Sequence, residues 1–131
     1  MLFKFDLMTP EQGIIDITKE VCQSIKESGV SEGICVIFCP HTTAAITINE
    51  NADPDVRSDF VFGMNKAFPD DNEFRHSEGN SDAHLKSSSI GASETLIISR
   101  GAPLLGRWQG VYFCEFDGPR TRQFFVKVIR S

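Results

Sequence analysis

The chain has 131 residues, of which 40% are hydrophobic and 24% are charged, a composition typical of an ordinary globular domain. Its net charge of −5 argues against non-specific nucleic-acid binding, which needs a basic surface. No apolar run approaches the roughly 20 residues that cross a membrane, and the N-terminus lacks a signal-peptide core. We therefore expect one cytoplasmic domain, residues 1–131.

The N-terminal part predicts a strand, a helix and a second strand. Residues 3–7 alternate apolar and polar side chains, as in a strand with one wet face, and residues 9–13 form a turn. Apolar residues spaced by three and four predict a helix from Asp16 to Ser28. The continuous apolar run 33–39 predicts a buried strand.

The middle of the chain predicts a further strand and a second helix. Residues 44–48 form the strand, and Pro54 begins the helix with Asp53 as its N-cap. Phe68-Pro69 ends this helix. Its inner stripe is expected to consist of Val56, Phe60, Met64 and Ala67.

The C-terminal part is mostly strand. Residues 70–79 form a loop, and residues 80–91 fit a short helix ended by Gly91. Three strands follow at 94–99, 108–116 and 123–130, with hairpin chemistry at 117–120. This order predicts an α+β fold with a largely antiparallel or mixed sheet and two main helices.

The cysteine pattern predicts free thiols. There are four cysteines in apolar contexts and no Cys-x-x-Cys motif. Cys35 and Cys39 would share one face of a strand, too far apart for a relaxed disulfide. We expect buried, reduced side chains at Cys22, Cys35, Cys39 and Cys114.

The stretch 39–54 is the best candidate for a site. It places a histidine, threonines, asparagines and carboxylates between an expected buried strand and a capped helix. Rigid scaffolds commonly hold functional groups at such junctions. The alternative is a turn that satisfies its own hydrogen bonds.

The three histidines, His41, His76 and His84, each lie in a polar segment. Together with Asp82, Glu78 or Cys39 they could bind zinc or another transition metal if the fold brings them together. A histidine with a pKa near neutrality could instead be a general acid or base.

Other charged residues fit a site for a phosphate. Paired carboxylates could hold Mg²⁺, although helix capping and solvation explain Asp53 and Asp55 better. Arginine and lysine bind phosphate, and the candidates are Arg57, Arg75, Lys86, Arg107 and Arg120. The chain has no P-loop, no dinucleotide glycine motif and no Gly-x-Ser-x-Gly elbow.

Four blocks of sequence together resemble the YjbQ family. They are residues 41–56, 76–88, 105–110 and 115–120, in the family's order, and the resemblance covers essentially the whole chain. It implies a compact α+β domain that assembles as a homotrimer. Members are described as secondary thiamine-phosphate synthases, which join a hydroxymethylpyrimidine diphosphate to a thiazole phosphate and release pyrophosphate.

The resemblance also implies a set of site residues. The family's polar signature falls on His41, Thr42, Asn49, Asn51, Asp53, His76, Asn80, Asp82, His84, Lys86, Trp108, Gln109, Asp117 and Arg120. The expected catalytic residues are His41, His84 and Asp82. The expected substrate contacts are Thr42, Asn49, Asn51, Asn80, Lys86, Gln109 and Arg120. The expected divalent metal is Zn²⁺ or Mg²⁺: His41, His76 and His84 would be the ligands of zinc, and Asp82 or Asp117 would hold Mg²⁺.

Two other classes of function fit the same residues. A trimeric binding protein could hold a phosphorylated metabolite without turnover, with the same cations and histidines. A metal-dependent hydrolase could use the three histidines as ligands. A synthase should need both substrates together, a binder should form no product, and a hydrolase should contain bound metal.

Overall fold

The computed structural model describes residues 1–131 and contains eight strands and three helices. The helices are α1 (Thr18–Ser28), α2 (Pro54–Ala67) and α3 (Ser81–Ile90). The strands are β1 (Leu2–Met8), β2 (Gly13–Asp16), β3 (Gly33–Phe38), β4 (Ala44–Glu50), β5 (Ser93–Ser99), β6 (Ala102–Pro103), β7 (Gln109–Glu115) and β8 (Thr121–Arg130). They form a five-stranded sheet, β1-β8-β3-β5-β6, and a three-stranded sheet, β2-β7-β4. All pairs are antiparallel, which confirms the expected α+β class.

The smaller sheet is buried on both faces, as strand β7 shows. Val111 and Phe113 point into the main core, which is shared with α1 and the larger sheet. Tyr112 and Cys114 alternate with them and lie in a second core, under α2 and α3. Side chains alternate along a strand, so the two faces of β7 contact different layers. The larger sheet and α1 lie on one side of the smaller sheet, and α2 and α3 lie on the other.

The start of the first helix differs from the expectation. The predicted helix began at Asp16, but residues Gly13–Asp16 are strand β2, which pairs with β7. Asp16 Oδ1 accepts hydrogen bonds from the backbone N–H and the hydroxyl of Thr18 at 2.9 and 2.6 Å. The helix therefore begins after Asp16, because its carboxylate already binds the first free N–H group.

Strand β3 is not buried on both faces, as its apolar run suggested. Cys35 and Ile37 are fully buried, but Ile34 and Phe38 are 39% and 44% exposed. The larger sheet is thus covered on one face only. Its other face carries apolar side chains that are exposed to solvent.

The second and third helices lie on the outside of the smaller sheet. Asp53 caps α2 by accepting from the N–H of Asp55 at 2.9 Å, as expected. The expected inner stripe of α2 is only partly covered, since the helix has no buried residue. The short helix expected within residues 80–91 is present as α3, in addition to the two main helices. None of the three helices is both long and apolar enough to cross a membrane.

The expected hairpin at 117–120 is wrong. Strand β7 belongs to the smaller sheet and β8 to the larger one, so the chain changes sheets here instead of turning back on itself. Gly118 permits this crossing, because a Cβ there would lie 2.0 Å from the backbone oxygen of Pro10. Pairing across sheets is a tertiary property that local turn residues do not encode.

The cysteines are all free, as expected, but not all buried. Cys35, Cys39 and Cys114 are buried, whereas Cys22 on α1 is exposed. Burial raises the pKa of Cys35 and Cys39 to about 11, which keeps both as neutral thiols.

Candidate functional site

A polar cavity of about 360 Å³ lies beside two of the connections through which the chain crosses between the sheets. One crossing is the β3–β4 loop and the other is the β7–β8 connection. The loop before α3 and the first turn of that helix complete the wall. The lining residues are Pro40, His41, Thr42, Thr43, His76, Glu78, Asn80, His84, Arg120 and Arg122.

The cavity unites residues that the sequence placed in separate blocks. All three histidines line it, together with Thr42, Asn80 and Arg120 of the expected substrate contacts. The two crossings are joined directly, because the N–H of Phe116 donates to the carbonyl oxygen of Thr43 at 3.1 Å. The β3–β4 loop is therefore held against the β7–β8 connection, which carries Arg120 and leads to Arg122 on β8.

His41 is held in one tautomer. Its Nε2 accepts a hydrogen bond from the backbone N–H of Gln123 at 2.9 Å, so the proton of the neutral ring lies on Nδ1. Burial lowers the pKa of His41, and the nearby Arg122 guanidinium lowers it further. His41 is thus a neutral donor through Nδ1–H, and in this tautomer neither ring nitrogen offers a free lone pair to a metal ion.

His76 and His84 form a pair in the part of the wall that α3 and its preceding loop supply. Their ring centroids lie 5.4 Å apart, edge to face, with His84 on α3 and His76 in the preceding loop. Glu78 lines the cavity beside them. No group of three or more histidine, cysteine or carboxylate side chains lies close enough to hold a metal ion. The two imidazoles can form hydrogen bonds with a ligand in the cavity.

Arg122 enters the cavity from a buried ion pair with Glu115. Its Nε and Nη2 donate to the two carboxylate oxygens at 2.7 and 2.5 Å. Glu115 is fully buried and also accepts from the Thr9 hydroxyl at 2.5 Å and the Asp117 N–H at 3.0 Å. Burial alone raises the pKa of Glu115, but these hydrogen bonds outweigh it and the pKa is lowered. Glu115 is therefore a carboxylate that fixes the guanidinium.

Arg120 is held more loosely at the rim. Its Nη2 donates to Asp117 Oδ2 at 2.9 Å, and its side chain is 50% exposed. Asn80 Nδ2 donates to the same carboxylate oxygen at 2.7 Å. Burial raises the pKa of Asp117, but the hydrogen bonds from Asn80 and Arg120 lower it more. Asp117 thus places the Arg120 guanidinium beside the cavity.

Two expected site residues, Asp82 and Lys86, do not line this cavity. Lys86 is only 1% exposed, and its Nζ donates to Asn65 Oδ1 at 2.6 Å and Asp82 Oδ2 at 3.2 Å. This contact connects α3 to α2. The structure therefore places the Lys86 ammonium between the two helices, whereas Asp82 is partly exposed and lines a smaller cavity with Asn80 and Asp117.

A second expected group lies at the far end of the smaller sheet. Asn49 and Asn51 fall at or just beyond the end of β4 opposite the cavity, beside Gln109. Strand β4 has 7 residues, so this end is roughly 20 Å from the cavity at about 3.3 Å per residue. Asn51 Nδ2 donates to the carbonyl oxygen of Gln109 at 3.0 Å. Within one chain these three residues do not meet the histidines.

The sequence interpretation missed Arg122, Thr43 and Glu115. The signal for Arg122 was available: it shares a strand face with Phe124 and Val126, which are buried. A charged side chain on the buried face of a strand needs a buried partner. Glu115 supplies it from β7, and Thr43 Oγ1 accepts from Arg122 Nη2 at 2.8 Å.

Comparison with known proteins places this chain in one family. Residues 3–131 match the family described as UPF0047 protein YjbQ-like. A UPF0047 protein of Methanocaldococcus jannaschii is 54% identical over 98% of this chain and 94% of its own length. The UPF0047 protein YugU of Bacillus subtilis is 52% identical over 92% of each chain.

Solved structures agree with the sequence matches. A crystal structure of an uncharacterized YjbQ/UPF0047 family protein from Clostridium acetobutylicum superposes with a TM-score of 0.95 at 53% identity, over 97% of this chain and 99% of that one. A conserved hypothetical protein from Thermus thermophilus gives 0.90 at 38% identity, with the same coverage. The chain belongs to the YjbQ-like UPF0047 family.

Proposed function

We propose that the cavity binds a small phosphorylated metabolite and that the protein is a thiamine-phosphate synthase of low activity. The observation that carries this proposal is the joint presence of two guanidinium groups and three imidazoles in one cavity of an acidic chain. Arginine is suited to phosphate because its planar fork donates two hydrogen bonds at once. The resemblance to the YjbQ family supplies the reaction.

The proposed reaction needs a stabilised leaving group. The carbon–oxygen bond to the diphosphate of the pyrimidine substrate breaks, and its electron pair leaves with pyrophosphate. The ring nitrogen of the thiazole phosphate supplies the electron pair for the new carbon–nitrogen bond. Arg120 and Arg122 balance the charge that develops on the diphosphate. His84, beside His76, donates a proton to the departing oxygen. We expect Mg²⁺ to enter with the diphosphate, since it commonly binds substrate phosphates and keeps several waters.

The direct test is synthesis from both substrates together. Purified protein with Mg²⁺, the pyrimidine diphosphate and the thiazole phosphate should form thiamine phosphate and pyrophosphate in equal amounts. We expect His84→Ala and Arg120→Gln to lower kcat by at least tenfold, because each removes a contact to the leaving group. Arg130→Gln, at the exposed far end of β8, is the matched control. Saturable binding of each substrate without product would favour a binding protein instead.

The hydrolase alternative has one observation in its favour, the contact between His76 and His84. Elemental analysis of protein purified without a histidine tag tests it. Stoichiometric zinc that is lost in both His76→Ala and His84→Ala, with hydrolysis of a single phosphate ester, would replace the synthase proposal. Pyrophosphate release that requires the second substrate and Mg²⁺ would retain it.

We also propose that the chain assembles as a homotrimer through the open face of the larger sheet. Ile34 on β3 lies opposite Ile97 on β5 and Ile129 on β8, which forms a row of isoleucines across three strands. These side chains are 39%, 57% and 44% exposed. A contiguous apolar face of this kind is typical of an interface.

We further propose that the protein is located in the cytoplasm. Its three buried free thiols agree with that reducing compartment.

A further inference from the structure

The guanidinium of Arg122 has hydrogen-bonding capacity that the protein does not use. Of its five N–H donors, the one on Nε and those on Nη2 bind Glu115 and Thr43. Nη1 makes no hydrogen bond within the chain, yet it is not among the buried polar atoms that lack a partner. Because the residue is 5% exposed and lines the cavity, Nη1 must open into it.

Thr43 offers a donor at the same place. Its hydroxyl oxygen accepts from Arg122 Nη2 at 2.8 Å, and its own hydrogen has no acceptor in the chain. Thr43 is buried, at 6% exposed, and lines the cavity as Arg122 does. The cavity floor therefore presents a guanidinium edge and a hydroxyl side by side.

The floor holds its geometry without a ligand. Glu115 accepts hydrogen bonds from the Thr9 hydroxyl and the Asp117 N–H in addition to those from Arg122. These two bonds fix the carboxylate, which in turn fixes the guanidinium. A group held in this way loses little freedom when a ligand binds. Arg120, half exposed at the rim, has no comparable support.

We propose that Arg122 and Thr43 form a fixed subsite for an oxyanion, which holds the terminal phosphate of the bound metabolite. Glu115 is the positioning residue that aims the guanidinium. Donors without a nearby acceptor match a phosphate oxygen, which carries charge and several lone pairs. Arg120 acts as a second contact from the rim. This inference rests on the proposed function, since it names the group of the ligand that the cavity recognises first.

The test measures binding of inorganic phosphate and pyrophosphate by isothermal titration calorimetry at low salt. We expect Arg122→Lys to weaken pyrophosphate binding by at least tenfold, because lysine lacks the planar fork that donates to Glu115 from one edge and to the ligand from another. Thr43→Val should weaken it by about tenfold, whereas Thr43→Ser, which keeps the hydroxyl, should stay within about twofold. Arg130→Lys, on the same strand outside the cavity, is the control for charge geometry.

A second readout does not depend on the stability of the arginine variant. In nitrogen-15 spectra of the unmodified protein, the Nε–H signal of Arg122 should shift as pyrophosphate is added. The dissociation constant from this shift should equal the one from calorimetry. A signal that stays fixed while binding occurs would overturn the subsite. Thr43→Val preserves the ion pair with Glu115 and therefore keeps the test valid if Arg122→Lys does not fold.

The outcomes separate the two proposals. If folded Arg122→Lys and Thr43→Val bind pyrophosphate as the unmodified protein does, the subsite is wrong, while the cavity remains a binding site through Arg120 and the histidines. If binding depends on Arg122 but no thiamine phosphate forms, the subsite stands and the synthase proposal fails. If neither anion binds at millimolar concentration, the subsite is overturned together with the phosphorylated ligand.

Discussion

His41 Nε2 lies 2.9 Å from the backbone nitrogen of Gln123 and accepts its hydrogen bond. This contact joins the β3–β4 loop to strand β8, one residue beyond the arginine that enters the cavity. The N–H can donate only to an unprotonated nitrogen, so the bond requires neutral His41. Loop position and histidine charge are therefore linked.

The first prediction is a loss of stability in mild acid that depends on His41. Its folded-state pKa is lowered, mainly by burial and then by Arg122, so the unfolded chain binds the proton more readily. Stability is then complete above the ordinary histidine pKa of about 6.5 and falls as pH decreases from there to the folded-state pKa. Urea unfolding at pH 7.5 and pH 5.5 measures this loss.

His41→Gln is the matched variant for that experiment. The glutamine oxygen can accept from Gln123 but does not titrate, so the variant should lose less stability between the two pH values than the unmodified protein. Equal losses in both proteins would show that the acid sensitivity arises elsewhere.

The second prediction concerns the buried ion pair of Glu115 and Arg122. Glu115→Gln leaves the guanidinium charge buried without a counter-charge, and we expect a loss of about 3 kcal/mol in the free energy of unfolding. Because the pKa of Glu115 is lowered, its contribution is present above the ordinary glutamate pKa of about 4.3 and is lost as pH falls below it. Urea titration at pH 7 and pH 4 should show the difference between the proteins shrinking in acid.

Glu73→Gln provides the control for this charge removal. Glu73 is exposed in the loop before α3, so its substitution should change the free energy of unfolding by less than about 0.5 kcal/mol. A similarly small effect at Glu115 would contradict the role given to the ion pair.

Local chemistry made part of this structure predictable. The start of α2 followed from Asp53 and Pro54, because a capping carboxylate and a proline at the first helical position act within a few residues. The four sequence blocks likewise indicated which histidines belong together. The start of α2 depends only on residues next to each other in the chain, and the grouping of the histidines follows from the resemblance of the whole sequence to the family.

The features that the sequence did not predict depend on contacts between residues far apart in the chain. The residues 117–120 look like a hairpin, yet they join different sheets, because the partners of β7 and β8 lie far away in sequence. The apolar run of β3 did not reveal that one of its faces stays open. Lys86 was expected at the substrate, but its burial depends on how α3 packs against α2. Arg122 was predictable in principle from its place on a buried strand face.

The third prediction tests Lys86 as a link between helices. Lys86→Met keeps the buried alkyl chain but removes the donor to Asn65 and Asp82, so we expect a loss of about 1–3 kcal/mol in the free energy of unfolding. Pyrophosphate affinity at 25 °C should change by less than about twofold, since Lys86 does not line the cavity. A tenfold loss of affinity in the folded variant would instead support Lys86 as a substrate contact.

The fourth prediction concerns assembly. Multi-angle light scattering should give three times the chain mass for the unmodified protein, because the isoleucine row on the larger sheet needs cover from water. Ile97→Lys places an ammonium in this row, at the most exposed of the three positions, and should shift the mass toward the monomer. Asn72→Lys adds the same charge to an exposed loop and should leave the mass unchanged. A trimer that persists in Ile97→Lys at low micromolar concentration would move the interface away from this face, and a monomeric unmodified protein would end the trimer proposal.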